Sequence, residues 1–495
     1  MNTSVCIIGA GIGGLTAGAI LATKGYNVRV LEKAKTVGGS AGWFLRKGRI
    51  FPTGATLAFG LEEQGLLSHV FKDLQLELDI EMLQHPMDVI LNDRKISIYQ
   101  DAARWEKELS NTFSERREDV KHFWEELGMI GECVYEVTAT GVSMPIQRLY
   151  DLGSLPCYAL THPRSILRLA GYATWTVEDL LGKYKLQTYE PLRQLLDLQL
   201  IDAAQIDCTE AALLPSSLAL TIYRKGSYYI KNGIGQICQA LADRIIMLGG
   251  QVILSSPVKG IQYDESEAIW RVDSTKHEGA YQWVINNSGI SFGLGNSSPE
   301  QKQFSWGAFR IDALLNDQFW NKELQKRKLP FALQIAPDKE RDINGPVYVT
   351  FQPSMNRNNE IVDGEITMSC SIHVHLENWS LYSKGEYEMK KQQLTDAIFS
   401  EIQKVVNVKG YLLYAEAGTP LTYEKFIGKS DVGGFPLTVR NTILKPNSTR
   451  SALPQLYIVG EQVFPGPGTL SSALSGYYAA RSITHNNPSD FWGTK

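Results

Sequence analysis

The sequence predicts an α/β protein: a strand–loop–helix domain interrupted by an inserted α+β part that carries a helical cap. Three observations predict it. The chain opens on "SVCIIGAGIGGLTAGAIL", a short apolar strand running through a glycine loop into a helix. It nears its other end on "LYIVGEQVFPGPGTLSSALSGYYAARSI", again a strand, a Gly/Pro loop and a helix. Between them the strand–helix alternation is lost twice, from about 86 to 224 and from 306 to 415.

Composition bounds the answer. The 495 residues leave room for two or three domains, and 43% hydrophobic with 21% charged residues is a globular balance with a sizeable core. A net charge of -4 gives no support for nucleic acid as a partner. Cys6, Cys133, Cys157, Cys208, Cys238 and Cys370 form no CxxC pair, which fits a reduced interior rather than a disulfide framework or a zinc site. The apolar opening lacks a basic leader and reads as a first strand, and no run of about 18 or more apolar residues is found. A cytoplasmic protein is expected, with a peripheral position on the inner face of the membrane as an alternative.

The elements follow in order. Val5 to Ile8 form the first strand, and Gly9, Gly11 and Gly14 give the GxGxxG spacing, with Gly13 inside it. Gly9 permits the tight turn, Gly11 lets a pyrophosphate approach the backbone, and Gly14 lets helix and strand pack closely. Phosphates would sit at the helix N-terminus, where free N–H groups and the helix dipole favour negative charge. A second strand, "NVRVLEK", ends at Glu32 and Lys33, and Glu32 is placed to accept hydrogen bonds from adenosine ribose hydroxyls. This is a Rossmann-like unit, and it leaves the choice between NAD and FAD open.

Later segments point to FAD. Gly38-Gly39, followed by Ser40, come close behind the ribose acid, a pattern of FAD-dependent oxidoreductases that lets backbone pass near the diphosphate and ribityl chain. "YIKNGIGQICQALADRIIMLGGQVILSSPVKGI" reads as loop, helix, turn, strand and turn, with Val258 where such proteins offer backbone groups to adenine. "WVINNSG" (283–289) reads as a strand returning toward the cofactor, and its glycines open no second GxGxxG helix, so no separate nicotinamide site is expected. A nucleotide as long as FAD needs a second grip, which the C-terminal loop supplies. Gly460-Glu461 would lie near the ribityl hydroxyls. Gly468, Thr469 and Leu470 would bring a helix start to the flavin N1/C2 carbonyl, where negative charge accumulates on reduction.

The blocks "IIGAGIGGLTAGAIL", "GGSAGWF", "NGIGQICQAL", "GTPLTYEKFIGKSDVGGFP" and "IVGEQVFPGPGTLSSALSG" resemble the phytoene desaturase and carotenoid isomerase branch of the amine-oxidase-like flavoprotein superfamily. The resemblance implies a Rossmann-like, amine-oxidase-like FAD-binding domain in three parts, 1–85, 225–305 and 416–495. A substrate domain would fill the intervals 86–224 (helical cap) and 306–415 (sheet and helix). "GGSAG" resembles the isomerase side, since desaturases more often carry a basic residue after the Gly pair. Two departures stand out. The family commonly has Phe-Asp-x-Gly where this chain has Phe51-Pro52-Thr53-Gly54, so an acid is missing near the expected flavin. Most carotenoid members have Asp where this chain has Glu461, a residue familiar there from amine oxidases.

In the middle, "DAARWEKELSNTFSERREDVKHFWEELGMIGECVYEV" has helical spacing, and "FALQIA", "VYVTF" and "EITMSCSIHVHL" read as strands. A sheet floor under a helical cap would make an apolar tunnel ending at the flavin. "LYDLGSLPCYALTHPRSILRLAGYATW", with Arg148, Arg164 and Arg168, suits a helix at a lipid surface, and equally a cap helix with solvated arginines. His373 and His375 lack an evident third ligand, so no metal is expected, and Cys6 reads as a small buried residue.

The reading is an FAD-dependent enzyme on a long polyene, a carotenoid desaturase or cis–trans isomerase. Such chemistry needs a positioned flavin and an apolar tunnel more than a protein acid or base, and no catalytic residue is assigned. Two other readings stay open: an amine-oxidase-like enzyme on a smaller substrate, marked by a lysine and an aromatic cage at the flavin, and a non-catalytic prenyl-binding relative of the Rab escort type.

Overall fold

The computed structural model describes residues 3–293, 306–338, 343–376 and 379–484. Five parallel strands form one sheet, in the order Leu456–Ile458, Trp283–Asn286, Ser4–Ile8, Asn27–Leu31, Gln251–Ile253. A central parallel strand is covered on both faces, which is why "VCII" is continuously apolar and almost fully buried. The helix Ile12–Thr23 is buried along nearly its whole length, between the helices Thr469–Thr484 and Gly235–Met247. Only small residues allow that. A Cβ at Gly476 would overlap the Gly13 carbonyl oxygen, and one at Gly13 would lie 2.8 Å from Ser472 O. The two ends of the chain therefore meet helix to helix. Val258–Asp264 begins a three-stranded antiparallel sheet with Ile269–Ser274 and Glu278–Tyr281.

The second large sheet has eight strands. Leu412–Gly418, Trp306–Leu315, Ile361–His375 and Asn344–Met355 run antiparallel in that order, followed by Ala332–Ile335. The hairpin Met87–Ile90/Lys95–Ile98 extends it through a parallel pairing with Ala332–Ile335, and Asp431–Val432, paired with Trp306–Leu315, is the eighth strand. The segment that reads as a helical cap thus lends two strands to the sheet of the later segment. Each is four residues long, too short for periodicity to announce it. The helix Lys384–Val405 covers one face through Leu394, Ile398, Phe399 and Ile402, at helical spacing. Its start carries a capping box in which Ser383 and Glu386 satisfy each other's backbone N–H groups.

The cap is helical as expected. Arg117–Ala139 buries Val120, Phe123, Trp124, Leu127 and Ile130 against the helix Leu213–Thr221 and its neighbours. In contrast, the helices Leu155–Thr161 and Pro163–Tyr172 bury no residue, and Leu149, Leu160 and Leu167 stand 87%, 84% and 72% exposed. Among the described residues no helix is long and apolar enough to cross a membrane.

Candidate nucleotide and substrate site

The two glycine loops meet on one side chain. Asn287, just past the strand Trp283–Asn286, sends its amide between them: Nδ2 donates to Gly9 O at 3.4 Å. A Cβ on Gly11 would come 2.5 Å from Asn287 Nδ2, and one on Gly460 3.0 Å from its Oδ1. Gly9 and Gly460 also hold φ values of +92° and +106°, a region L side chains rarely adopt. Asn287 was absent from the sequence-derived candidates. The signal was there, a polar residue at the C-terminal end of a parallel strand, where ligands of open α/β sheets bind.

Around that junction the candidates lie as follows. Gly11 is the N-cap of the first helix, whose leading N–H groups lack intrahelical partners. Gly14 packs on the first strand, with a Cβ there only 2.7 Å from Gly9 O and 3.0 Å from Ile7. Gly38 donates its N–H to Ala10 O at 2.7 Å, so the Gly38-Gly39 turn lies directly against the first loop. Ser40 O accepts from Ala55 N at 3.0 Å and ties that turn to the Thr53-Gly54 segment. Glu32 is almost buried. Its Oε2 accepts from Ala10 N at 2.6 Å and its Oε1 from Ala34 N at 2.7 Å, which leaves lone pairs on both oxygens. Lys33 points outward. The stretch before Val258 runs beside this acid, with Ser256 N donating to Glu32 O at 2.7 Å.

At the second grip, Gly460 N donates to Ser475 Oγ at 2.8 Å. A Cβ on Gly468 would meet nothing within 4 Å, so this loop faces open space beside Thr469 and Leu470 at the helix start. Glu461 forms an ion pair with Lys429, and a Cβ on Gly434 would overlap the Glu461 carbonyl. Burial draws the Lys429 ammonium below the ordinary lysine value, against the opposing pull of Asp431.

The position that lacks an acid at Pro52 receives charge from the opposite sheet. Arg310 Nη1 donates to Thr53 O at 2.7 Å, and Tyr423 OH donates to the same oxygen at 3.1 Å. Arg310 is held by Asp312 at 2.8 Å and by Ser369 Oγ at 2.8 Å, all nearly inaccessible to solvent. Burial pushes the Asp312 carboxyl above its usual value even beside Arg310. Nearby, Asp202, Tyr223 and Tyr348 line an interior space. Solvent reaches Asp202, yet enclosure alone raises its carboxyl to about 6, and both phenols are raised by burial first and by the Asp202 charge second. His373, against the Trp306 ring, is drawn down by burial to about 4 and is a neutral imidazole at neutral pH. His375 packs on the same ring, and among the described residues no group of three metal-binding side chains is found. All six cysteines are free thiols, and Cys6 is fully buried.

Fold and cleft together are those of a Rossmann-like α/β protein. The NAD(P)-binding Rossmann-like domain family matches residues 7–74. The chain is 25% identical to a prolycopene isomerase of an Oncidium hybrid cultivar, over 96% of this chain and 83% of that one. It is 23% identical to a 4,4'-diapophytoene desaturase (4,4'-diaponeurosporene-forming) of Staphylococcus haemolyticus, over 94% of this chain and 95% of that one. Among solved structures, wild-type putrescine oxidase bound to putrescine aligns with a TM-score of 0.64 at 12% identity, covering 98% and 99% of the two chains. An oxidoreductase from Methanosarcina mazei aligns with a TM-score of 0.59 at 15% identity, covering 98% and 100%. The structural likeness establishes the amine-oxidase-like fold. The carotenoid isomerase and desaturase resemblance carried by the sequence motifs is borne out.

Proposed function

We propose that the chain is an FAD-dependent oxidoreductase acting on a long hydrophobic polyene, as a carotenoid desaturase or a carotenoid cis–trans isomerase. What carries the reading is the meeting of two glycine loops on Asn287 in a chain similar, end to end, to proteins named for those two reactions. The residues fit the cofactor: backbone that a Cβ would fill at Gly11, open space at Gly468, and lone pairs left on Glu32. FAD, when bound, supplies hydride acceptance or transient electron donation.

The chain's own residues do the rest. The first helix start receives the diphosphate at Gly11 and Gly13, and Glu32 takes the ribose hydroxyls. Gly38, Gly39 and Ser40 pass along the diphosphate and ribityl chain, Val258 offers backbone to adenine, and Gly460-Glu461 hold the ribityl end. Thr469 and Leu470 bring the last helix start to the ring. Arg310 and Tyr423 fix the Thr53 carbonyl and with it the Thr53-Gly54 turn. Asp202 carries a proton at its carboxyl in mildly acidic solution, and is a group of the interior space able to gain or release one near neutrality. The domain parts 1–85, 225–305 and 416–495 would bind FAD, and 86–224 with 306–415 would bind the polyene.

A specific observation favours the smaller-substrate reading: Lys429, beside Glu461, stands where an amine-oxidase-like site would want a lysine. The membrane reading is supported by Leu149, Leu160 and Leu167 exposed alongside Arg148, Arg164 and Arg168. It predicts co-sedimentation with anionic vesicles that Leu160→Asp/Leu167→Asp abolishes; unchanged sedimentation would refute it.

The deciding experiment is pigment analysis by chromatography and mass spectrometry in a host that makes linear carotenoids. Loss of hydrogen pairs means desaturation, and a new retention time at unchanged mass means isomerisation. No change across several precursors shifts the assignment to amine oxidation. A colourless protein that takes up no FAD revives the prenyl-binding relative.

A further inference from the structure

Away from the glycine loops, a cavity of about 340 Å³ opens between the helices Ala102–Thr112, Arg117–Ala139 and Leu213–Thr221. Arg224, from the turn Ile222–Arg224, lies in its wall with the guanidinium carbon 4.6 Å from the centre of the Trp105 ring. Its Nε and Nη1 are buried and have no hydrogen-bond partner, and the indole Nε1 of Trp124 is in the same condition. Trp105 and Trp124 meet edge to face at 5.3 Å, so both orphaned groups belong to one aromatic corner.

The remaining charges at the cavity are already accounted for. Lys121 pairs with Glu106 at 2.9 Å, and Lys225 with Glu132 at 2.7 Å. Glu125 lies 3.9 Å from Lys121, and Arg117 Nε donates to Ser110 O at 3.2 Å. Four cations and three carboxylates line the space, an excess of one positive charge. Burying a guanidinium with unmade hydrogen bonds is expensive, and burial does draw Arg224 down to about 10. A ligand that completes those bonds recovers that cost. Its head is best a planar monoanion, since the guanidinium fork matches a carboxylate and the lining offers an excess of one positive charge. Its body must be apolar, because Leu109, Leu218, Leu220 and the two tryptophans form the other walls.

We propose that this cavity is a binding site for an aliphatic monocarboxylate, with its head on Arg224 and its chain along Trp105 and Trp124. The turn that carries Arg224 also carries Tyr223, which lines the interior space beside Asp202. Occupancy would therefore steady that wall from its other side.

The test uses the full-length purified protein, with decanoate as probe, read by calorimetry and by the fluorescence of Trp105 and Trp124. Decanoate should bind saturably and change the fluorescence, and decanol should bind at least about tenfold more weakly, the worth of one charge-assisted hydrogen bond. Arg224→Gln should lose a similar factor and Arg224→Lys less, each checked for native folding by its denaturant melt. Inorganic phosphate at matched concentration should not displace decanoate. Equal binding of decanol and decanoate by the unaltered protein overturns the proposal, even if the variants fail to fold. Undiminished binding by folded Arg224→Gln, or displacement by phosphate, overturns it too.

Discussion

The nucleotide-type cleft and the polar sites of the cap and the eight-stranded sheet are built by opposite means. In the cleft the backbone sets the shape. Gly9, Gly38, Gly460 and Gly468 hold positive φ, Gly11 and Gly13 admit no side chain, and Glu32 serves two backbone N–H groups. In the cap and the eight-stranded sheet the polar sites are made of side chains: Arg310 on Asp312, Asp202 near Tyr223 and Tyr348, Arg224 over Trp105. The difference teaches where each region is fragile. The first fails when an atom is added, the second when a charge is removed.

Adding atoms should have the largest effect. Gly476→Val drives a side chain into the Gly13 carbonyl at the crossing of the first and last helices, with no room to relax. A cost above about 4 kcal/mol is expected, seen as loss of the cooperative urea transition or of soluble protein. Removing a charge comes next. Asp312→Ala leaves Arg310 buried without its partner and should cost about 3–5 kcal/mol in the same melt, with Asp312→Asn costing less. If Asp312→Ala is instead near neutral, the contrast between the two halves does not hold.

Glu32→Ala tests the cleft from the other side, since it removes an acceptor rather than adding bulk. The buried Ala10 N–H loses its partner, at about 1–3 kcal/mol, and flavin absorbance per protein should fall after gel filtration. Glu32→Gln, which keeps one oxygen acceptor, should fall in between.

A pH series sharpens the comparison further. Asp202 titrates at about 6 in the folded chain against 3.8 for the ordinary carboxyl, so the folded state holds this proton more tightly. Its contribution to stability is fully present below 3.8 and is lost as pH rises through about 6. Urea midpoints at pH 4.5 and 7.5 should therefore differ less for Asp202→Asn than for the unaltered chain. An unchanged difference would mean that the carboxyl is not enclosed. The smallest effect is a gain. A Cβ at Gly171, in the exposed helix Pro163–Tyr172, meets nothing within 4 Å, so Gly171→Ala should stabilise by up to about 1 kcal/mol.

Much of the cleft was legible because its demands are local. A glycine at Gly9 or Gly38 is written into the chain by the turn that needs it, and the acid at Glu32 follows the second strand at a fixed interval. The helix Lys384–Val405 is local in the same sense, through the spacing of its apolar face and its Ser383–Glu386 capping box. Asn287 was not, because a lone asparagine after a strand becomes informative only when two distant glycine loops close on it. Nor was the Met87–Ile90 hairpin, whose partner strand, Ala332–Ile335, lies more than two hundred residues away in sequence.

By itself, then, the sequence determined the two strand–loop–helix units and the cofactor class they suit, since φ preference, helix spacing and turn chemistry act between near neighbours. Only the tertiary structure decided which charges are paired and which are stranded. Arg310 and Arg224 both bury guanidinium N–H groups, but one reaches Asp312 and the Thr53 carbonyl while the other keeps two N–H groups unmet. The reason is physical: the cost of burying a charge is set by whatever the rest of the fold brings within hydrogen-bonding distance, and no local stretch of chain contains that information.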